Sequence, residues 1–247
     1  MSLTPAGRAY LPHAERALEA VRSGAALVRE LEQGVVGELA LAVAPAVSAY
    51  VLPELLVRFT EIHPGVRLLV RTEHSEEVVN LVARGEVDLG ITRQIRDPRV
   101  QSRPVYEDEL VLVVPPTHPF ASAPSVDVAE ISHVQLILFD RTSSYYDLTN
   151  ALFRPAGNLP RGVLELDHID AAKQMVLAGL GVALLPTTAV ATELRDGTLR
   201  RIDLVGSPPI ERRIVGVRRL DEEQRSRAAT AFWALLEEFE PPTTMRG

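Results

Sequence analysis

Six histidines are the first candidates for chemistry: His13, His63, His74, His118, His133 and His168. A metal site needs such ligands at spacings that bring them together, as in His-x-His or His-Glu-x-x-His. None of the six has that spacing. The chain has no cysteine, which excludes disulfides, thiolate ligands and thiol nucleophiles. Gly179-Leu180-Gly181 lacks the third glycine of a dinucleotide fingerprint and closes a predicted helix instead of opening one. No Gly-Lys-Ser/Thr phosphate loop and no Gly-x-Ser-x-Gly elbow occurs. Ser144, His168 and Asp170 have the residue types of a nucleophilic triad. Without an elbow around the serine they read as polar residues near strand ends. The pattern argues against an enzyme and requires no metal and no cofactor.

What remains is a set of polar residues where strands hand over to helices. Ser48 and Ser75 stand there in the first half of the chain, and Ser143, Ser144 and Asp167 in the second. A helix N-terminus carries free N–H groups and the positive end of a dipole, which suit a carboxylate or another anion. Capping alone would explain any one of these residues. Several of them converging on one cleft would make a binding site.

The elements that must position them follow from periodicity. Residues 37–43 are apolar at nearly consecutive positions, the pattern of a parallel strand covered on both faces. Residues 48–63 have helical spacing, with Leu52, Leu55, Leu56 and Phe59 on one stripe. A strand over 66–70, a helix over 75–84 and a strand over 87–91 complete a unit. Its ligand edge lies beyond the strand ends, at 44–48, 71–75 and 92–93. After an extended stretch over 103–114, residues 134–186 repeat the plan, with strands over 134–139, 162–166 and 182–185 and helices over 145–153 and 167–178. Two such units predict two lobes in place of one continuous sheet, with a ligand cleft between them. A last strand over 212–218 and a helix over 221–239 follow.

Ahead of these units, Thr4-Pro5 opens a long helix that runs to Gly34. Leu11, Ala14, Leu18, Val21, Ala25 and Val28 fall on heptad a and d positions, and Pro12 interrupts the run. The spacing fits a helix that pairs with another chain through Leu11, Leu18, Val21 and Val28. It also fits a helix packed on its own domain.

Among the 247 residues, 46% are hydrophobic and 24% charged, ordinary for a globular protein. The net charge of −7 shows no basic excess for gripping a phosphate backbone. No apolar run approaches the ~20 residues of a membrane span, and no signal-peptide core opens the chain. A cytoplasmic protein with no membrane partner is expected.

Several motifs together resemble the LysR-type transcriptional regulators. Leu3-Thr4-Pro5-Ala6-Gly7 with its amphipathic helix is similar to that family's linker helix. Tyr50-Val51-Leu52-Pro53 with Leu56 and Phe59, then His63-Pro64-Gly65-Val66, resemble the start of its effector domain. Gly85-x-Val87-Asp88-Leu89-Gly90-Ile91, Leu110-Val111-Leu112-Val113-Val114 with His118-Pro119, and Gly179-Leu180-Gly181-Val182-Ala183-Leu184-Leu185-Pro186 continue the likeness across nearly the whole chain.

The resemblance implies an α/β fold like the type 2 periplasmic binding proteins, two lobes with an interlobe cleft, preceded by a long linker helix. It divides the chain into a linker and dimerisation helix (1–34), lobe I (35–107 and 208–240), lobe II (108–207) and a tail (241–247). It implies a small-molecule effector, with a carboxylate metabolite a candidate, and a homodimer or homotetramer. DNA would be contacted only through an N-terminal winged helix-turn-helix outside this sequence. The positions that match the family's effector contacts are Ala46, Val47, Ser48, Ser75, Thr92 and Arg93 in the first lobe. In the second they are Thr142, Ser143, Ser144, Tyr145, Asp167 and His168. At the first strand's tip this chain departs from the pattern. Ala44-Pro45-Ala46-Val47 stand where hydroxyls are usual, so recognition there falls to Ser48, Ser75 and backbone N–H groups. A solute-binding protein of the same fold is the alternative.

Overall fold

The computed structural model describes residues 4–7, 10, 11, 13, 14, 16–18, 35–139, 143–153, 163–220 and 226–239, except the side chains of Ser144 and Val163. In the N-terminal run the described residues from Pro5 to Leu18 are helical, and the Gly7 N–H donates to Thr4 Oγ1 at 3.1 Å. Leu11 and Leu18 stand 41% and 58% exposed, so this chain alone does not cover that stripe. Val21, Val28 and Thr142 lie outside the described residues.

Strand β1 (Gly37–Val43) sits between parallel neighbours β2 (Val66–Thr72) and β3 (Leu89–Arg93). Its side chains feed both faces: Leu39, Leu41 and Val43 enter one core, and Ala42 enters another. The single helix expected over 48–63 is two, α1 (Pro45–Tyr50) and α2 (Leu52–Ile62). Each carries a proline in its first turn, where the missing N–H costs nothing. Pro53 cannot extend an α1 ladder, so the chain restarts there. Helix α3 (Ser75–Arg84) covers the opposite face and ends at Gly85, which has φ 71°. A Cβ on Gly90 would lie 2.7 Å from both Val78 and Val217. That bare position lets α3 close on the sheet.

The long β4 (Val100–Val114) leads through a 3₁₀ turn (Pro119–Ser122) to β5 (Ser125–Asp127) and α4 (Val128–Ile131). Then come β6 (Leu136–Phe139), α5 (Ser144–Phe153), β7 (Val163–Leu166), α6 (Ile169–Leu177) and β8 (Val182–Pro186). Helix α7 (Thr187–Asp196), β9 (Arg200–Val205), β10 (Ile210–Arg219) and α8 (Arg227–Glu238) are the last of the described elements.

The main strand order is β2-β1-β3-β10-β4-β8-β6-β7, within one hydrogen-bonded sheet of ten strands. The two lobes are as expected, but one continuous sheet runs through both, which corrects the expectation that it would not. The two β–α units keep separate cores, but β4 and β10 pair antiparallel along almost their whole length and run through both. The N-terminal part of β4 belongs with β10 beside β3, and its C-terminal part pairs with β8 and β9. The register slips between Ile214 and Val215, so Val105 is an extra residue on β4. Val105 and Tyr106 are consequently both buried, and inward-facing positions change phase there. The same bulge accommodates Pro104, which has no N–H for a ladder.

In the first core, α8 lies on α2 and β1. Phe232 is fully buried and meets Phe59 edge to face, with ring centroids 5.2 Å apart. Phe232→Ala is expected to lower the unfolding free energy by ~3–5 kcal/mol, read by urea denaturation followed by far-UV circular dichroism. A loss below about 1 kcal/mol would mean that this aromatic contact does not organise the core.

Candidate functional site

The end of β1, which runs straight into α1, meets the starts of three further helices at one cleft between the two lobes. It is open to solvent and is lined by Ala44, Pro45, Ala46, His74, Ser75, Ser143, Tyr145, Asp167, Ile169 and Arg212. Pro45 turns the chain from β1 into α1, and the Ala44 N–H donates to the Ile91 carbonyl at 2.9 Å, which holds that turn to the sheet. Helix α3 presents its N-terminal end through His74 and Ser75, α5 through Ser143 and Tyr145, and α6 through Asp167 and Ile169. Three dipole ends of one sign therefore face a shared space.

A full charge of the same sign joins those ends: Arg212, on β10. It is 5% exposed. Its Nη1 donates to the Tyr145 phenol, and its guanidinium lies over the Tyr145 ring, 4.2 Å from the centroid. The Tyr145 ring in turn packs on Phe139 at 4.9 Å, and its N–H donates to Ser143 Oγ at 3.2 Å. Burial pushes the Tyr145 phenol up to about 12, against the pull of Arg212, so it is protonated at neutral pH. Among the described residues, the buried Arg212 Nε has no hydrogen-bond partner, and the bond that the guanidinium makes is through Nη1 and not Nη2. One edge of the guanidinium fork is thus unused. Paired N–H groups on that edge match the two oxygens of a carboxylate.

Directly across the ladder from Arg212 stands Asp108. Its carboxylate accepts from Thr188 Oγ1 at 2.9 Å, from the Thr188 N–H at 3.4 Å and from the Glu109 N–H at 3.0 Å. Burial raises its pKa, although Thr188 and Arg212 both act to lower it. Asp108 thus ties the start of α7 to β4 while offsetting the Arg212 charge at longer range.

A second polar bridge crosses between the cores. The Tyr50 hydroxyl, at the end of α1, donates to Asp170 on α6. Lys173 sits over the Tyr50 ring at 5.0 Å, contacts Glu193 at 3.1 Å and donates to the Ala189 carbonyl at 3.0 Å. Burial, and then Asp170, push the Tyr50 phenol far above its ordinary value.

Of the residues singled out from sequence, Ala46, Ser75, Ser143, Tyr145 and Asp167 line the cleft. Val47 is fully buried in the first core, and Thr92 is fully buried in β3. Ser48 lies inside α1 and shares a hydrogen bond with Thr72 Oγ1 at 2.9 Å, so it caps no helix. Arg93 pairs with Glu76. His168 takes the N-cap position of α6 without a side-chain cap, and Asp167 precedes it. Ser75 is the first residue of α3 and does not cap it either. Ser144 opens α5. Ala44, Pro45 and His74 fall within the ligand edge expected over 44–48 and 71–75, whereas Arg212 and Ile169 lie outside every expected contact. A signal for Arg212 existed: on β10 it shares the inward phase of Ile210 and Ile214.

Among the described residues no group of His, Asp and Glu could hold a metal ion, and no helix is long and apolar enough to cross a membrane. The sheet order, two cores and intervening cleft define a two-lobed α/β ligand-binding domain of the type 2 periplasmic-binding-protein kind. Within that class, the chain belongs to the LysR substrate binding domain family, whose model matches residues 32–240. It is 32% identical over 218 residues to the HTH-type transcriptional regulator CfxR of Cupriavidus necator, covering 86% of this chain and 67% of the relative. It is 30% identical over 203 residues to the HTH-type transcriptional regulator CitR of Bacillus subtilis, covering 82% and 69%. The regulatory domain of Synechocystis CcmR, solved in complex with 2-PG, superimposes with a TM-score of 0.73 at 23% identity, covering 82% of this chain and 96% of that one.

The raised Asp108 pKa has a defined sign in stability. The folded state holds this proton more tightly than the unfolded state. The resulting stabilisation is complete below the ordinary carboxylate pKa and is lost as pH rises through the raised one. Asp108→Asn cannot lose a proton, so its stability relative to the parent should increase as pH rises from 4 to 7. Urea titrations of both proteins at several pH values read this difference, and a decrease over that range would contradict the burial argument.

Proposed function

We propose that this chain is the effector-sensing and oligomerising part of a LysR-type transcriptional regulator, with a small carboxylate seated in the interlobe cleft. The observation that carries the choice of ligand is the unused Nε–Nη2 edge of the buried Arg212. A buried cation with open donors is stabilised by an anion that completes its hydrogen bonds. The N-terminal ends of α3, α5 and α6 add donors of the same sign, and Ser75 and Ser143 add hydroxyls. The CcmR neighbour was solved with 2-PG, which supports a small-molecule ligand for a domain of this fold.

In this reading lobe I comprises 35–107 and 208–240, and lobe II comprises 108–207. The helix over 1–34 joins chains into a dimer or tetramer through Leu11, Leu18, Val21 and Val28. DNA contact is made by a helix-turn-helix and not by these 247 residues, whose net charge of −7 gives no phosphate-gripping excess. Effector favours one arrangement of the lobes, and the oligomer follows by population shift. A solute-binding role for the same fold has no observation in its favour.

The test is calorimetric titration and thermal shift with a panel of small carboxylates and uncharged polyols. Carboxylates should raise the melting temperature and polyols should not. Arg212→Met should weaken carboxylate binding about 10–100-fold, the equivalent of ~1.5–3 kcal/mol for hydrogen bonds to a charged group. A well-folded Arg212→Met protein with unchanged affinity would overturn the assignment.

A further inference from the structure

We infer that the effector is a zwitterion of the amino-acid type, its carboxylate on Arg212 and its ammonium against Asp167. The inference rests on the cleft reading above and sharpens the chemical class of its ligand.

Among the described residues that line the cleft, Arg212 is the only arginine or lysine and Asp167 the only carboxylate. Both have unused capacity. The Nε–Nη2 edge of Arg212 is open, and Asp167 makes no hydrogen bond or ion pair among the described residues. Asp167 stands next to the N-cap of α6, whose dipole end stabilises it without a partner. One fixed cation and one fixed anion ask for a ligand with the complementary pair. A doubly negative ligand satisfies Arg212 but meets Asp167 as a like charge. A simple monocarboxylate leaves Asp167 unanswered.

The rest of the wall suits a small side chain. Ala44, Pro45 and Ala46 form an apolar stretch on one side, and Ile169 adds another apolar surface. Ser75 offers a hydroxyl to either end of the ligand.

The test uses the full chain and three matched probe series at millimolar concentration: free L-amino acids, their 2-hydroxy analogues and their des-amino analogues. Asp167 is exposed, so the ammonium should add only about two- to fivefold in affinity, the range of a solvent-exposed ion pair. At least one free amino acid should raise the melting temperature more than both of its analogues. In Asp167→Asn that preference should collapse to a ratio near one, the amino acid and its des-amino analogue then binding alike. Arg212→Met should lose all three series. If des-amino or 2-hydroxy acids bind as well as the amino acids in the parent, or no amino acid shifts the melting, the zwitterion assignment is wrong. In the first case the carboxylate reading still stands. If Arg212→Met keeps its response to all three series, the cleft reading itself fails.

Discussion

The antiparallel pairing of β4 with β10 is the constraint on which the remainder depends. Each strand serves the cores of both lobes, so the ladder between them sets where each lobe ends and how the cleft is walled. Arg212 and Asp108 face each other across that ladder. Neither could be buried alone, because an unpaired charge in an apolar wall is strongly disfavoured. Opposite one another they moderate each other's field. Thr188 and the Glu109 N–H complete the Asp108 side, and Tyr145 completes one corner of the Arg212 side. The open edge of the guanidinium is what this arrangement leaves over.

Two links then span the cleft, and they differ in kind. The Arg212–Tyr145 stack joins the shared strand to the N-terminal end of α5, at the position a ligand would occupy. The Tyr50–Asp170 bridge joins α1 to α6 through groups outside the cleft lining, with Lys173 and Glu193 behind it. A ligand on Arg212 acts on the first link directly. It reaches the second only by moving α1 or α6. Both helices have a residue at the cleft, Ala46 and Ile169, so any change in separation there is carried along rigid elements of fewer than three turns.

Much of this was legible in the amino-acid order. Helix α3 could be placed residue for residue, because its apolar stripe is regular and Gly85 ends it in the left-handed conformation. The paired β–α units, and with them the two-lobed class, followed from apolar runs too dense for half-exposed strands. The short β5 and β9 were not legible, since three- and six-residue strands take their identity from partners far along the chain. The division of 45–62 into two helices was missed because apolar spacing continues across the break. Site residues divided along the same line. Ser75, Ser143, Tyr145 and Asp167 sit at helix starts that local sequence announces. Arg212 comes from the far end of the chain, and its role depends on a strand pairing that no local pattern displays. Ser48 had the right residue type at the right strand tip, but one turn of helix carries it away from the cleft to Thr72.

The open edge of Arg212 also bears on how long a signal could last. Any ligand on that edge is held by hydrogen bonds and charge, with no thiol in the chain to form a covalent mark. On the proposal that a small molecule binds there, occupancy of that edge would carry the signal. Its duration would then follow the residence time of one small molecule beside one arginine.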